Sequence, residues 1–284
     1  MEYVKLATGA KMPLLGFGAY QLTPDICERV VADALETGYR MIDGAQDYRN
    51  EAQVGAAIAK SGIKREELFI TSKVWCNNFP KTRESVMRTL DRLGTPYVDL
   101  MLVHQPFGDF YACWRELEKL HEEGLCKAIG VSNFRPDRII DLHYHARIKP
   151  MVNQIEAHPY NQRSLDKKWL DKLGIVMEAY APFAEAKTGL FTDPTMVEIA
   201  RKHGKTTAQI ALRWNIERGC PVIPKSVHKE RMQENFDVFD FKLDVEDMVK
   251  IALLETGKTC FFSHVDPDAI EWVMTYLRDW KDVD

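Results

Sequence analysis

Short apolar runs, each four to eight residues long and rich in Val, Ile and Leu, recur along the chain with amphipathic stretches between them. In order they are LLGFG ending near Gly18, YRMID at Asp43, LFITSK at Lys73, VDLMLVH at His104, CKAIGVSN at Asn133, MVNQIE at Glu156, IVMEAYAP near Tyr180 and PVIPKS at Ser226. Continuous apolarity, as opposed to strict alternation, suits strands buried on both faces of a parallel sheet. The stretches between them carry a helical period and mostly stop at glycine, a helix-ending signal. TPDICERVVADALETGY, for example, starts at Thr23 or Pro24, stops at Gly38, and sets Ile26, Val30, Val31 and Ala34 on one side. RNEAQVGAAIAKSG, TRESVMRTLDRLG, FYACWRELEKLHEEG and SLDKKWLDKLG repeat the pattern, and MVEIARKHG with TAQIALRWNIERG makes a double helix before the eighth run.

An opening segment, YVKLATGAKMPLLGFG, reads as a β-hairpin turning at Thr8-Gly9, and the tail adds helices over DVEDMVKIALLE and AIEWVMTYLRDW. Eight strands alternating with helices predict an α/β fold, a closed (β/α)₈ TIM barrel, as one domain over residues 1–284. No Pro/Ser-rich linker or shift in composition marks a boundary within it. An open doubly wound sheet is the other candidate. It normally carries a Gly-rich phosphate loop after its first strand. Here GFGAYQ lacks the third glycine of G-x-G-x-x-G, and no P-loop occurs.

Composition removes several function classes. The chain of 284 residues is 45% hydrophobic and 28% charged, with a net charge of −4 and no run of five like charges. That gives no electrostatic support for nucleic-acid or membrane-surface binding. The six cysteines, Cys27, Cys76, Cys113, Cys126, Cys220 and Cys260, form no C-x-x-C pair and match no zinc or disulfide framework, so reduced thiols in a cytoplasmic protein are expected. The N-terminus lacks an apolar signal region and no run approaches 18 apolar residues.

In a barrel the C-terminal ends of the strands converge on one face, where active sites are built. The strand ends here carry Asp43, Lys73, His104, Ser132, Asn133, Gln154, Tyr180, Lys225 and Ser226, with Tyr48 one short loop beyond Asp43. Each alone has an ordinary structural explanation; together they define one rim. Tyr48 would serve as general acid, its pKa drawn down by the ammonium of Lys73. Asp43 would pair with Lys73, and His104 would hydrogen-bond and orient a carbonyl oxygen. Such a set protonates the alkoxide formed when hydride adds to a carbonyl, and a cofactor must bring the hydride.

IPKSVHKERMQEN supplies a cofactor candidate. Lys225, Ser226 and Arg231 surround a helix start and suit an adenosine 2′-phosphate, with Glu234 and Asn235 toward the adenine. Ser132, Asn133 and Gln154 suit a carboxamide, and the Tyr180 ring a nicotinamide face. Trp75, and less strongly Phe17, Tyr20 and Phe107, are expected to wall the substrate pocket. His143 and His145 diverge at i and i+2 on a helix and read as surface residues, so no metal site is assigned.

These segments resemble the aldo-keto reductase superfamily. GYRMIDGAQDYRNEAQVGAAI is similar to its first signature, GVSNF and MVNQIEAHPY to the middle ones, and IPKSVHKERMQEN to the last; the likeness runs from about Lys5 to near Asp266. The length and compact loops resemble the microbial 2,5-diketo-gluconate reductase and prostaglandin F synthase branch. The resemblance implies Tyr48 as proton donor in a tetrad with Asp43, Lys73 and His104. It also implies NADPH, without metal, extended across the barrel mouth on the residues named above, and a small carbonyl substrate for a monomer or weak dimer. Departures from the pattern are Gly44 for a common Thr, Gln105 for Trp, His228 for Thr, and Ala181 and Phe183 for Ser and Leu; none touches the tetrad. Two other readings are an NADPH-binding regulatory or sensor barrel with weak turnover, and a metal-dependent hydrolase built on Asp43, His104 and Glu156.

Overall fold

The computed structural model describes residues 1–280, apart from the side chains at 278 and 279; the last four residues of the expected domain, 281–284, lie outside the described residues. β1 (Tyr3–Lys5) and β2 (Lys11–Pro13) form the expected antiparallel hairpin, with Gly9 in the left-handed region at φ 87°. A parallel sheet then runs in sequence order from β3 (Phe17–Gly18) through β4 (Met41–Asp43), β5 (Phe69–Val74), β6 (Val98–Val103), β7 (Cys126–Ser132) and β8 (Val152–Glu156) to β9 (Val176–Tyr180).

The eighth apolar run closes the barrel without becoming a regular strand. Val222 pairs in parallel with both Leu15 and Ala179, joining the first strand to the last. The Val222 N–H donates to Leu14 O at 3.0 Å, and the N–H groups of Gly16 and Ala179 reach Val222 O and Pro221 O at 2.9 and 2.7 Å. Pro221 and Pro224 have no N–H to give, so the pairing stays short: Pro224 O still accepts the Gly18 N–H at 3.1 Å, but neither proline returns a bond. Closure also requires small residues. A Cβ on Gly16 would lie 2.4 Å from the Met41 side chain and 3.1 Å from Ile223.

Helices follow the strands as the pattern predicts: α1 (Pro24–Thr37), α2 (Glu51–Lys60), α3 (Thr82–Leu93), α4 (Phe110–Glu122), α5 (Pro136–His145), α6 (Ser164–Leu173), the pair α7 (Pro194–His203) and α8 (Thr207–Glu217), and α9 (Lys229–Phe236). α1 shows the local logic. Pro24 opens it, Asp25 sits in its first turn, Gly38 at φ 119° ends it, and Cys27, Val30, Val31, Ala34 and Leu35 are buried. The expected extra helices are α10 (Val245–Ala252) and α11 (Pro267–Asp279). α11 lies over the barrel mouth, where Val273, Leu277 and Trp280 pack on Trp75 with Phe107 and Phe262 alongside. Among the described residues, no helix is long and apolar enough to cross a membrane.

Candidate active site

β4 delivers Asp43 to the mouth and then breaks. The Gly44 N–H still reaches Thr71 O on β5 at 2.9 Å, after which Gln46–Tyr48 make one 3₁₀ turn and Arg49 takes the left-handed region at φ 57°. Buried Gln46 anchors this turn. Its Oε1 accepts from the Trp75 N–H at 3.0 Å and from Asn78 Nδ2 at 2.8 Å, while its Nε2 donates to Thr89 at 3.1 Å. Asn50 fixes the other end by donating to Ala19 O and Leu22 O at 2.9 and 3.0 Å. Tyr48 is thus carried on a short segment with little freedom to shift.

Lys73, inside β5, is fully buried, and its ammonium makes three contacts: Asp43 Oδ2 at 2.7 Å, Gly44 O at 2.8 Å and the Tyr48 hydroxyl at 3.2 Å. A buried ammonium is tolerable only when its hydrogens are all matched, as here. His104 ends the adjacent strand with its ring 5.8 Å from that of Tyr48, edge to face. The four expected tetrad residues therefore converge.

The electrostatics differ from expectation in one respect. Burial, and next the Asp43 charge, push the Tyr48 phenol well above its usual range, where the sequence pattern predicts that Lys73 draws it down. Asp43 neutralises the ammonium at close range, so little net positive charge is left to favour phenolate. Burial and then the Lys73 charge hold His104 well below the ordinary imidazole range, so the ring is neutral. Its Nδ1 is buried without a partner among the described residues. An orphaned lone pair is more easily borne than an orphaned N–H, which leaves the ring proton on Nε2.

The expected nicotinamide residues form a connected set. Ser132 Oγ donates to Gln154 O at 2.9 Å, Asn133 Nδ2 donates to His104 O at 3.1 Å, and the Tyr180 hydroxyl donates to Asn133 Oδ1 at 2.9 Å. Gln154 Nε2 donates to Asp43 Oδ1 at 2.7 Å and to Glu178 Oε2 at 3.0 Å, leaving its Oε1 as the acceptor. At the other end of the rim, Lys225 and Arg231 are exposed beside the start of α9. The Ser226 hydroxyl accepts from the His228 N–H at 3.1 Å and shapes that turn. Asn235 is buried. Glu234 Oε1 accepts from the Thr206 hydroxyl at 2.8 Å, so this carboxylate also braces α8. Neighbouring Lys229 is engaged by Glu36 at 2.6 Å.

On the substrate side Trp75 lies against His104, ring to ring at 4.9 Å, and exposed Tyr20 against Tyr48 at 5.1 Å. Phe107 stacks on His264 at 5.6 Å. Phe17, also considered for this wall, is a core residue instead, fully buried against Tyr39. Gln105, in the position where Trp is common, accepts from His264 Nε2 at 2.8 Å. Burial and neighbouring arginines push that imidazole down to about 4. The C-terminal segment thus sets the His264 and Phe262 rings beside Gln105 and Phe107.

The same segment is clipped to the barrel by Glu156, whose Oε1 accepts the Cys260 N–H at 2.7 Å and whose Oε2 accepts the Thr259 hydroxyl. Among the described residues, Glu156, His158 and Cys260 bring ligand-type atoms within 4.8 Å of one another. His158 Nδ1, however, accepts the Tyr160 N–H at 3.3 Å, so Nε2 carries the proton and donates it to Glu156 at 2.9 Å. The donor set is that of a hydrogen-bonded clip. His143 and His145 lie on α5, with His145 exposed beside Asp141.

Three features escape the sequence pattern: Gln46 as anchor of the Tyr48 turn, α11 as cover of the mouth, and Glu178 beneath the tetrad. A single acid inside the otherwise apolar run IVMEAYAP is the available signal for the last.

Comparison with known proteins fits this geometry. The chain belongs to the aldo/keto reductase family, whose model matches residues 14–255. It is 40% identical over 258 residues to the methylglyoxal reductase DkgA of Escherichia coli (strain K12), covering 90% of this chain and 94% of that protein. It is 43% identical over 258 residues to the glyoxal reductase of Bacillus subtilis (strain 168), covering 89% and 92%. Among solved structures, the aldo-keto reductase MGS-M4 from a Medee basin deep-sea metagenome library superposes with a TM-score of 0.89 at 44% identity, over 93% of this chain and 98% of that one. The protein is therefore an oxidoreductase of carbonyl groups, in a family that generally uses nicotinamide cofactors.

Proposed function

We propose that the chain, acting as one domain, reduces small aldehydes and ketones to alcohols with NADPH as cofactor and Tyr48 as general acid. The observation that carries this reading is the triple contact of Lys73 with Asp43, Gly44 O and the Tyr48 hydroxyl beside a neutral His104. The rim suits the cofactor: two exposed cations at the start of α9 match an adenosine phosphate, and the Oε1 of Gln154, an acceptor, matches an amide donor. When bound, NADPH supplies the hydride.

The chain's own residues do the rest. His104 Nε2–H donates to the carbonyl oxygen and holds it near the Tyr48 hydroxyl. Tyr48 gives its proton to that oxygen as negative charge develops there. An alkoxide is a stronger base than a phenolate, which favours the transfer. Lys73 donates to the Tyr48 oxygen and steadies the phenolate left behind, and Asp43 keeps the ammonium in place. Trp75, Phe107, Tyr20 and the C-terminal segment limit water and shape the pocket.

The activities for which the two relatives are named point to small dicarbonyl aldehydes such as methylglyoxal and glyoxal as substrates. The protein would work in the cytoplasm as a monomer or weak dimer. The test is purified protein with a panel of aldehydes and ketones, each with NADPH or NADH. Methylglyoxal should oxidise NADPH readily and NADH slowly; a panel in which no carbonyl oxidises NADPH would reject the reading.

A further inference from the structure

Beneath the tetrad lies a second carboxyl group. Gln154 on β8 and Glu178 on β9 are register partners on adjacent strands. The single amide nitrogen of Gln154 spans from Asp43 Oδ1 to Glu178 Oε2, at 2.7 and 3.0 Å. Glu178 is fully buried, and its Oε1 has no partner among the described residues. Among the described residues the cation that acts on it is Lys73, whose contacts with Asp43, Gly44 O and Tyr48 already occupy its hydrogens. An ionised carboxylate with one hydrogen bond and no cation would be very costly here. One ammonium can balance one carboxylate, and Asp43 is the one it touches.

We propose that Glu178 is a positioning residue that works as the neutral acid: with Gln154 it holds Asp43 in place, and its ionisation at alkaline pH disables carbonyl reduction. Around it stand Asp43 from β4, Lys73 from β5, the neutral Gln154 from β8 and the Tyr48 phenol from the 3₁₀ turn. Burial, then repulsion from Asp43, pushes the Glu178 carboxyl up to about 8. Once ionised, Glu178 pulls harder on the Gln154 amide and repels the Asp43 carboxylate that shares it. Its charge also raises the phenol further and weakens Tyr48 as an acid. Tyr48 itself titrates too high to produce an alkaline limb in this range.

The inference rests on the reductase reading above, and wild-type turnover of methylglyoxal with NADPH at pH 7 checks that reading separately. The test is kcat at saturating NADPH from pH 6 to 9.5 for wild type and Glu178→Gln, which mimics the protonated acid. Wild type should lose activity above a midpoint near 8, about tenfold per pH unit for a single proton. Glu178→Gln should keep pH 7 activity within about threefold and stay flat across the range. An unchanged alkaline limb in the variant, or a hundredfold loss at pH 7, would overturn the proposal. Should the variant not fold, infrared spectroscopy of the wild type decides. A protonated-carboxyl band present at pH 6.5 and lost near 8 supports the proposal, and its absence at pH 6.5 overturns it.

Discussion

The ammonium of Lys73 and the carboxylate of Asp43 meet at 2.7 Å with essentially no exposure of either side chain. Removing one partner strands the other as a buried charge. Asp43→Asn should therefore cost about 3–5 kcal/mol of stability in denaturant unfolding, and the double variant Asp43→Asn, Lys73→Met should cost less than the sum of the singles. Additive losses would mean that the pair is not coupled.

The exposed cations beside α9 predict cofactor discrimination. Lys225→Ala and Arg231→Ala should each raise the Kd for NADPH roughly 10- to 100-fold, the size of a lost charge-assisted hydrogen bond. NADH, which lacks the extra phosphate, should change by less than about threefold. Fluorescence titration of both nucleotides measures this, and equal weakening of the two would remove these residues from the phosphate site.

α11 predicts a pocket with a removable cover. Leu277 is buried against the Trp75 cluster, and the Asn77 amide donates to its carbonyl. Leu277→Asp places a charge in that contact and should undock the helix. Tryptophan emission should shift to the red. The kcat/KM ratio of a bulky aromatic aldehyde to glyoxal should rise on the order of tenfold, the scale of a steric pocket change. An unchanged ratio would show that α11 does not limit substrate size.

Glu178 also predicts a pH-dependent stability difference. Its carboxyl is raised from 4.5 to about 8 in the fold, so the folded state retains a proton that the unfolded chain releases. That contribution is fully present below pH 4.5 and is lost as pH climbs toward 8. Glu178→Gln has no such proton to lose. Its stability relative to wild type should grow between pH 5 and 9 by about 4 kcal/mol, accumulating at ~1.4 kcal/mol for each pH step up to about 8. Denaturant midpoints at pH 5, 7 and 9 measure it, and a constant offset would show that the group does not titrate there.

The barrel is legible in the chain because strands buried on both faces appear as unbroken Val, Ile and Leu runs, and helices such as α1 announce their ends with Pro24 and Gly38. The eighth run is legible as a barrel element, but the effect of Pro221 and Pro224 is local: they reduce the strand to a few bridges. Asp43, Lys73 and His104 stand out because strand ends share one face. Glu178 does not, because it lies inside its strand, where sequence position says nothing about which neighbours it meets. The docking of α11 is equally hidden. Val273 and Leu277 mark an apolar stripe at i and i+4, but a stripe does not name the surface that receives it. The Tyr48 electrostatics depart from expectation because the Lys73 charge acts together with the Asp43 charge beside it, a pairing whose closeness only the fold sets.

The most direct measurement is the single-turnover rate of NADPH oxidation by methylglyoxal in Tyr48→Phe, alongside NADPH binding to the same variant. Removing one hydroxyl should slow the turnover roughly 10²- to 10⁴-fold while the Kd for NADPH stays within about twofold. A variant that turns over at the wild-type rate would contradict the assignment of Tyr48 as proton donor.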